Sequence, residues 1–125
     1  MTDSNTTVAE LRKLVGDFVQ ERDWNQFHSP KNLSMSLAIE AAELMEHFQW
    51  ISIDQSRDVA QEPQKVEAVA EELADVVSYA LALANELGID VSAAMQRKMV
   101  KNAQKYPADE YRGRYGPGDQ RTSAN

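Results

Sequence analysis

The sequence contains no cysteine among its 125 residues. Disulfide frameworks, thiolate metal sites and cysteine nucleophiles are excluded together, and a cytoplasmic home is expected. Glycine and proline are scarce, at 5 and 4 residues, and they fall where helical periodicity stops. No apolar run approaches the ~18 residues that a membrane-spanning helix requires, and the polar stretch from Met1 to Thr7 lacks the basic and then apolar order of a secretory leader. Neither membrane insertion nor export is expected. Positive charge is in the minority, with 13 Lys and Arg against 20 Asp and Glu and a net charge of −7. Such a field repels phosphate backbones, so a nucleic-acid polymer is not an expected partner. Any anionic ligand would need a local positive patch.

What the chain does contain is helical patterning. With 42% hydrophobic and 26% charged residues, it has the composition of a soluble globular protein of one domain. From Val8 to Glu21 the apolar residues Val8, Leu11, Leu14, Val15, Phe18 and Val19 recur at three- and four-residue spacing behind a capping Thr7, which predicts an amphipathic helix. A connector rich in aromatics runs from Arg22 to Ser29. Ser29 and Pro30 then supply a cap and a first-turn proline for a second helix, roughly Lys31 to Gln49. Residues 51–62 are mostly polar and read as a loop with room for a helical turn. Pro63 opens a third helix that runs to Leu87 and stops at Gly88, and Asp90 caps a fourth that reaches Tyr106 ahead of Pro107. No strand pattern competes. The expected fold is therefore all-α, with residues 1–107 forming the domain and residues 108–125, almost without aliphatic side chains, forming a flexible tail.

Acids stand where apolar residues belong. Leu33, Leu37, Leu44 and Phe48 mark the buried stripe of the second helix, and Glu40 lies inside it, with Glu43 one turn on. The third helix reads LADVVSYALALA from Leu73 to Ala84, apolar nearly all round, with Asp75 and Ser78 its main polar interruptions. An ionised carboxylate buried there would cost several kcal/mol unless paired or metal-bound. Glu72 precedes Asp75 by three residues. Two acid pairs at three-residue spacing on adjacent helices can place four oxygen donors, Glu40, Glu43, Glu72 and Asp75, around one cavity, as helix bundles do when they hold metals. Glu46, Glu67 and Glu71 are read instead as solvated ridges. All-oxygen ligands favour Mg2+ or Mn2+ over Zn2+ or iron, since Glu43 and His47 are four residues apart and supply no E-x-x-H pair.

Arg97, Lys98, Lys101 and Lys105 provide the local positive patch. Lys98, Lys101, Asn102 and Lys105 align along one helix face, suited to phosphate oxygens, although Lys105 equally complements the helix dipole. Trp24, Phe27, His28, Trp50 and Tyr79 can pack a core or stack on a planar ligand, and spacing does not choose between these roles.

Four segments, RDWNQFHSPKNL (22–33), IEAAELMEHFQW (39–50), EELADVVSYALALA (71–84) and KMVKNAQKYP (98–107), jointly resemble the all-α nucleoside triphosphate pyrophosphohydrolases of the MazG-like superfamily, and within it the dCTP pyrophosphatase branch. The resemblance spans about Val8 to Pro107. It implies a four-helix bundle completed by homo-oligomerisation as a dimer or tetramer. It also implies Mg2+-dependent cleavage between the α and β phosphates of a nucleoside triphosphate, dCTP or a modified dCTP, to a monophosphate and pyrophosphate. By the same resemblance Glu40, Glu43, Glu72 and Asp75 would hold the metal and carry catalysis, Lys98 and Asn102 would contact phosphates, and His28, Trp50 and Tyr79 would surround base and sugar. Water would be the nucleophile, because no hydroxyl residue pairs with a base in these motifs. Two alternatives stand beside this reading: a phosphoribosyl-ATP pyrophosphohydrolase, disfavoured by the FQW and QFHSPKNL segments, and a non-catalytic, cation-binding dimerisation module.

Overall fold

The structure is a computed structural model that describes residues 1–114 and 118–119. Its elements are α1 (Val8–Glu21), α2 (Pro30–Glu46), α3 (Ile53–Asp58), α4 (Pro63–Leu87), α5 (Val91–Lys105) and α6 (Ala108–Tyr111), with 3₁₀ turns at Asn25–Phe27 and Val59–Gln61. No strand occurs among the described residues, and the all-α expectation holds. The chain divides into two compact units, Met1–Ile89 and Asp90–Asn125.

In the first unit local chemistry sets the helix ends. Thr7 and Glu10 form a capping box at the start of α1: the Thr7 hydroxyl accepts from the Glu10 amide at 3.2 Å, and the Glu10 carboxylate accepts from the Thr7 amide at 2.7 Å. The Thr7 amide and the Thr7 hydroxyl, which donates to the same carboxylate oxygen at 2.9 Å, hold the Glu10 carboxyl below its ordinary value of 4.5. At the other end Asp23 adopts a left-handed φ of 52°. Its amide donates to the Gln20 carbonyl, and the Trp24 amide reaches back to Val19, both at 3.0 Å. This is a Schellman ending with aspartate in the place usually taken by glycine, and it turns the Trp24 ring edge-on to Phe18, 5.8 Å between centroids.

Ser29 caps α2 through the Asn32 amide, and Pro30 occupies its first turn, as the sequence predicts. The helix ends at Glu46, three residues earlier than expected. Within the polar stretch that follows, Ser52 and Gln55 form a second capping box and start the short α3. The S-x-x-Q spacing carried that signal. α4 closes on Gly88, whose φ of 63° permits the same six-to-one ending, with the Ile89 amide on the Ala84 carbonyl at 2.9 Å. Arg12 of α1 fastens this end: its guanidinium donates to Asn85 Oδ1 at 2.9 Å and to the carbonyls of Ile89 and Ala84, while Asn85 Nδ2 donates back to the Arg12 carbonyl at 3.0 Å.

α4 is the central element, with α2 and α1 packed against it. The core contains Val19, Leu33, Val59, Leu81, Ala82 and Ala84, and Leu33 is the most enclosed at 1% exposure. Leu37, Leu44 and Phe48 are half-buried, in keeping with the predicted stripe. The apolar run of α4 is covered only in its second half. Leu73 and Val77 are exposed, as are Met35, Ile39 and Met45 of α2. Asp75 is exposed as well, so the desolvation cost expected from the sequence does not fall on it.

In the second unit the Asp90 carboxylate accepts from the Ala93 amide at 2.8 Å and begins α5, which stops at Lys105. Ala108–Tyr111 forms one helical turn, with Tyr111 edge-on to Tyr106 at 5.2 Å. The predicted tail thus begins with ordered helix, and its residues 115–117 and 120–125 lie outside the described residues. Among the described residues no single helix is long and apolar enough to cross a membrane.

Candidate active site

The packing of α2 on α4 brings two acid pairs to one place. One carboxylate oxygen from each of Glu40, Glu43 and Glu72 lies within 4.8 Å of the other two. Glu40 and Glu72 are half-buried, and the Oε2 atom of each is fully enclosed without a hydrogen-bond partner. None of the four acids forms an ion pair among the described residues. Enclosed carboxylate oxygens with no donor and only other acids for neighbours are stable if protonated or if a cation joins them.

The electrostatics follow. Burial raises the Glu40 carboxyl from 4.5 to about 6, reinforced first by the close Glu43 carboxyl and then by the charges of Asp75 and Glu72. Glu72 is raised too, by burial first and by Glu43 and Asp75 after it, with His47 opposing. Asp75 therefore acts on the cluster from its rim, although it is not among the three acids whose oxygens converge. The donor set, all carboxylate oxygen, fits a hard divalent cation. Three of the four acids singled out in the sequence thus converge, and Asp75 stands beside them.

Beside the acids opens a pocket of about 130 Å³ lined by Val15, Phe18, Val19, Trp24, His28, Asp75, Ser78, Tyr79 and Ala82. α1 supplies its aliphatic wall, the turn after α1 supplies Trp24 and His28, and α4 supplies the rest. His28 and Tyr79, both half-buried, thus share one pocket. Asp75 joins the two halves of the site, because it lines this pocket and acts on Glu40 and Glu72.

Trp50 is not part of that pocket: it is 87% exposed beyond the end of α2. Trp24 takes the lining position instead. The sequence offered Trp24 as an aromatic candidate without a role, and the αL turn at Asp23 is what aims it at the pocket. Ser78 was legible only as an interruption of an apolar run. Lys98 and Asn102 belong to α5 in the second unit, where Lys98 is exposed and Asn102 half-buried, and neither Lys98 nor Lys101 has an acidic partner among the described residues.

Comparison with known proteins places this geometry in context. The model of the MazG-like family matches residues 35–115. The rat protein dCTP pyrophosphatase 1 is 42% identical over 107 residues, covering 86% of this chain and 63% of the rat protein. The human protein of the same name is 40% identical over 102 residues, covering 82% of this chain and 60% of its own length. The chain thus spans less than two thirds of the length of these relatives. Among solved structures, a pyrophosphatase from Archaeoglobus fulgidus superposes with a TM-score of 0.74 at 38% identity, covering 86% of this chain and 98% of that one.

Proposed function

The chain belongs to the MazG-like family, and from that premise we propose that it is a divalent-metal-dependent nucleoside triphosphate pyrophosphohydrolase that cleaves dCTP, or a modified dCTP, to the monophosphate and pyrophosphate. The observation that carries the reading is the acid cluster: three converging carboxylates, two with enclosed unpartnered oxygens, beside an aromatic pocket. A ligand with a planar ring at one end and polyanionic oxygens at the other matches such a pair of neighbouring surfaces. The naming of the rat and human relatives as dCTP pyrophosphatases supports cytosine as the base.

In this proposal Glu40, Glu43, Glu72 and Asp75 hold Mg2+, with Mn2+ as a substitute. When bound, the cation supplies charge neutralisation to the phosphate oxygens. The protein's own part is to orient an attacking water and accept its proton. Glu43 is suited to that, as the exposed member of the converging three. Trp24, His28 and Tyr79 hold the nucleoside end. Lys98 and Asn102 are assigned to the phosphates and Trp50 to base or sugar by family resemblance. A homo-oligomer, dimer or tetramer, is proposed on the same ground, and the exposed Met35, Ile39, Leu73 and Val77 give it an apolar face to cover. A cytoplasmic location fits a cysteine-free enzyme of nucleotide pools.

The test is a panel of nucleoside triphosphates with Mg2+ and purified protein, with the products resolved. Pyrophosphate with the monophosphate is expected, dCTP being turned over fastest. Orthophosphate released at the rate of nucleotide loss would refute the α–β cleavage.

A further inference from the structure

Four serines, Ser34, Ser36, Ser56 and Ser78, sit inside helices of the first unit: two bond back to their helix, and Ser36 and Ser78 do not. The Ser34 hydroxyl donates to the Lys31 carbonyl at 2.8 Å and the Ser56 hydroxyl donates to the Ile53 carbonyl at 2.6 Å. Back-bonding of this kind gives the hydroxyl of a helical serine a partner away from water. Ser78 is half-buried in the middle of α4, within the most apolar segment of the chain, yet its hydroxyl makes no hydrogen bond among the described residues. It lines the aromatic pocket one turn beyond Asp75 and one turn before Ala82. The His28 ring, the Trp24 indole N–H and the Tyr79 hydroxyl, all on the same lining, are also without hydrogen bonds among the described residues.

An apolar site that keeps a hydroxyl unspent in its wall discriminates by that hydroxyl. Shape and stacking contribute affinity that most planar rings share, whereas a buried polar atom rejects any ring that leaves it unpaired. Serine at this place also forgoes the better helix propensity of alanine with no local hydrogen bond in return. We infer that Ser78 is a specificity-determining residue, its hydroxyl hydrogen-bonding the polar edge of a single-ring base held between the α1 wall and Trp24, His28 and Tyr79. The inference rests on the proposed nucleotide reading and adds to it the group that reads the base. A hydroxyl both donates and accepts, so it can meet either an amino group or a carbonyl of that edge.

The experiment compares the wild-type protein with Ser78→Ala in two assays. In turnover with Mg2+, kcat/KM for dCTP is expected to fall tenfold or more, carried mainly by KM, while values for dATP and dGTP change little. In equilibrium titration, followed by tryptophan fluorescence without metal, dCMP is expected to bind tenfold more weakly while the baseless control, deoxyribose 5-phosphate, binds both proteins alike. The melting temperature should hold or rise, since alanine is the stronger helix former, so lost folding does not imitate the result. Equal loss across all triphosphates, or unchanged dCMP affinity, would overturn the role of Ser78. If the wild-type protein released pyrophosphate from no triphosphate, the hydrolase reading would fail, and the dCMP titration would still decide Ser78.

Discussion

Protons and a divalent cation should compete for the acid cluster, and Glu40 sets the pH at which they do. Its carboxyl is raised to about 6, chiefly by burial and then by Glu43. A metal ligand must be ionised to bind, so apparent affinity falls as the pH drops through that value. At pH 5, one unit below, about a tenth of Glu40 is ionised, and apparent affinity should be about tenfold weaker than at pH 8 from this residue alone. Glu72 is shifted in the same direction, so the measured slope should be steeper. Calorimetric titration with Mg2+ or Mn2+ at pH 8, 7, 6 and 5 reads this directly. The metal-free protein should show the opposite trend in stability. A carboxyl whose folded value lies above its unfolded one contributes stability that is fully present below about 4.5 and is lost as the pH rises through about 6. Thermal melts of the metal-free protein should therefore favour pH 5 over pH 7.5. Glu10 does not mask the effect, because its lowered carboxyl loses its contribution only as the pH falls below that window. Glu40→Gln should flatten both dependences. Metal affinity that is constant from pH 7 to pH 5 in the wild type, or an undiminished slope in Glu40→Gln, would refute the reasoning.

Glu72→Gln and Asp75→Asn should each leave the circular dichroism spectrum unchanged while lowering turnover by about a hundredfold or more, because an amide keeps the shape of the ligand but loses its charge. Near wild-type activity of Asp75→Asn at limiting Mg2+ would remove Asp75 from the metal site. The two glycines next to Asn85 should respond in opposite senses to alanine. Gly88→Ala should cost about 1 kcal/mol, all of it from the left-handed backbone, since nothing lies within 4 Å of the added methyl. Gly16→Ala should gain up to about 1 kcal/mol of helix propensity, because its methyl would meet Asn85 Nδ2 at an ordinary 3.6 Å. Thermal denaturation of the two variants measures the contrast, and equal shifts would contradict it.

The helices and their ends were legible because capping is local: Thr7 with Glu10, Ser29 with Pro30, and Gly88 carry their geometry in a few adjacent residues. The same locality explains why α3 was legible only as room for a helical turn, since its Ser52–Gln55 box sits in a stretch with almost no apolar periodicity to announce a helix. The acids were legible for a different reason. Glu40 breaks the stripe of one helix and Asp75 breaks the apolar run of another, with Glu72 one turn before it, and a polar residue in an apolar pattern has to be reconciled with burial by some partner. What spacing cannot supply is which face meets which. It gave Trp24 and Trp50 equal standing, whereas the left-handed turn at Asp23 brings Trp24 to the pocket wall and Trp50 lies exposed beyond the end of α2. It also marked residues 73–84 as buried, although Leu73 and Val77 are exposed. The interruptions of α4 are better read as a sequence along its length. Glu72 meets the converging carboxylates, Asp75 touches both cluster and pocket, and Ser78 faces the pocket, a rise of about 9 Å along the axis. In the proposed reading one helix thus spaces the cation end of the site from its base end. An insertion of one residue between Asp75 and Ser78, keeping every existing side chain, would disconnect them.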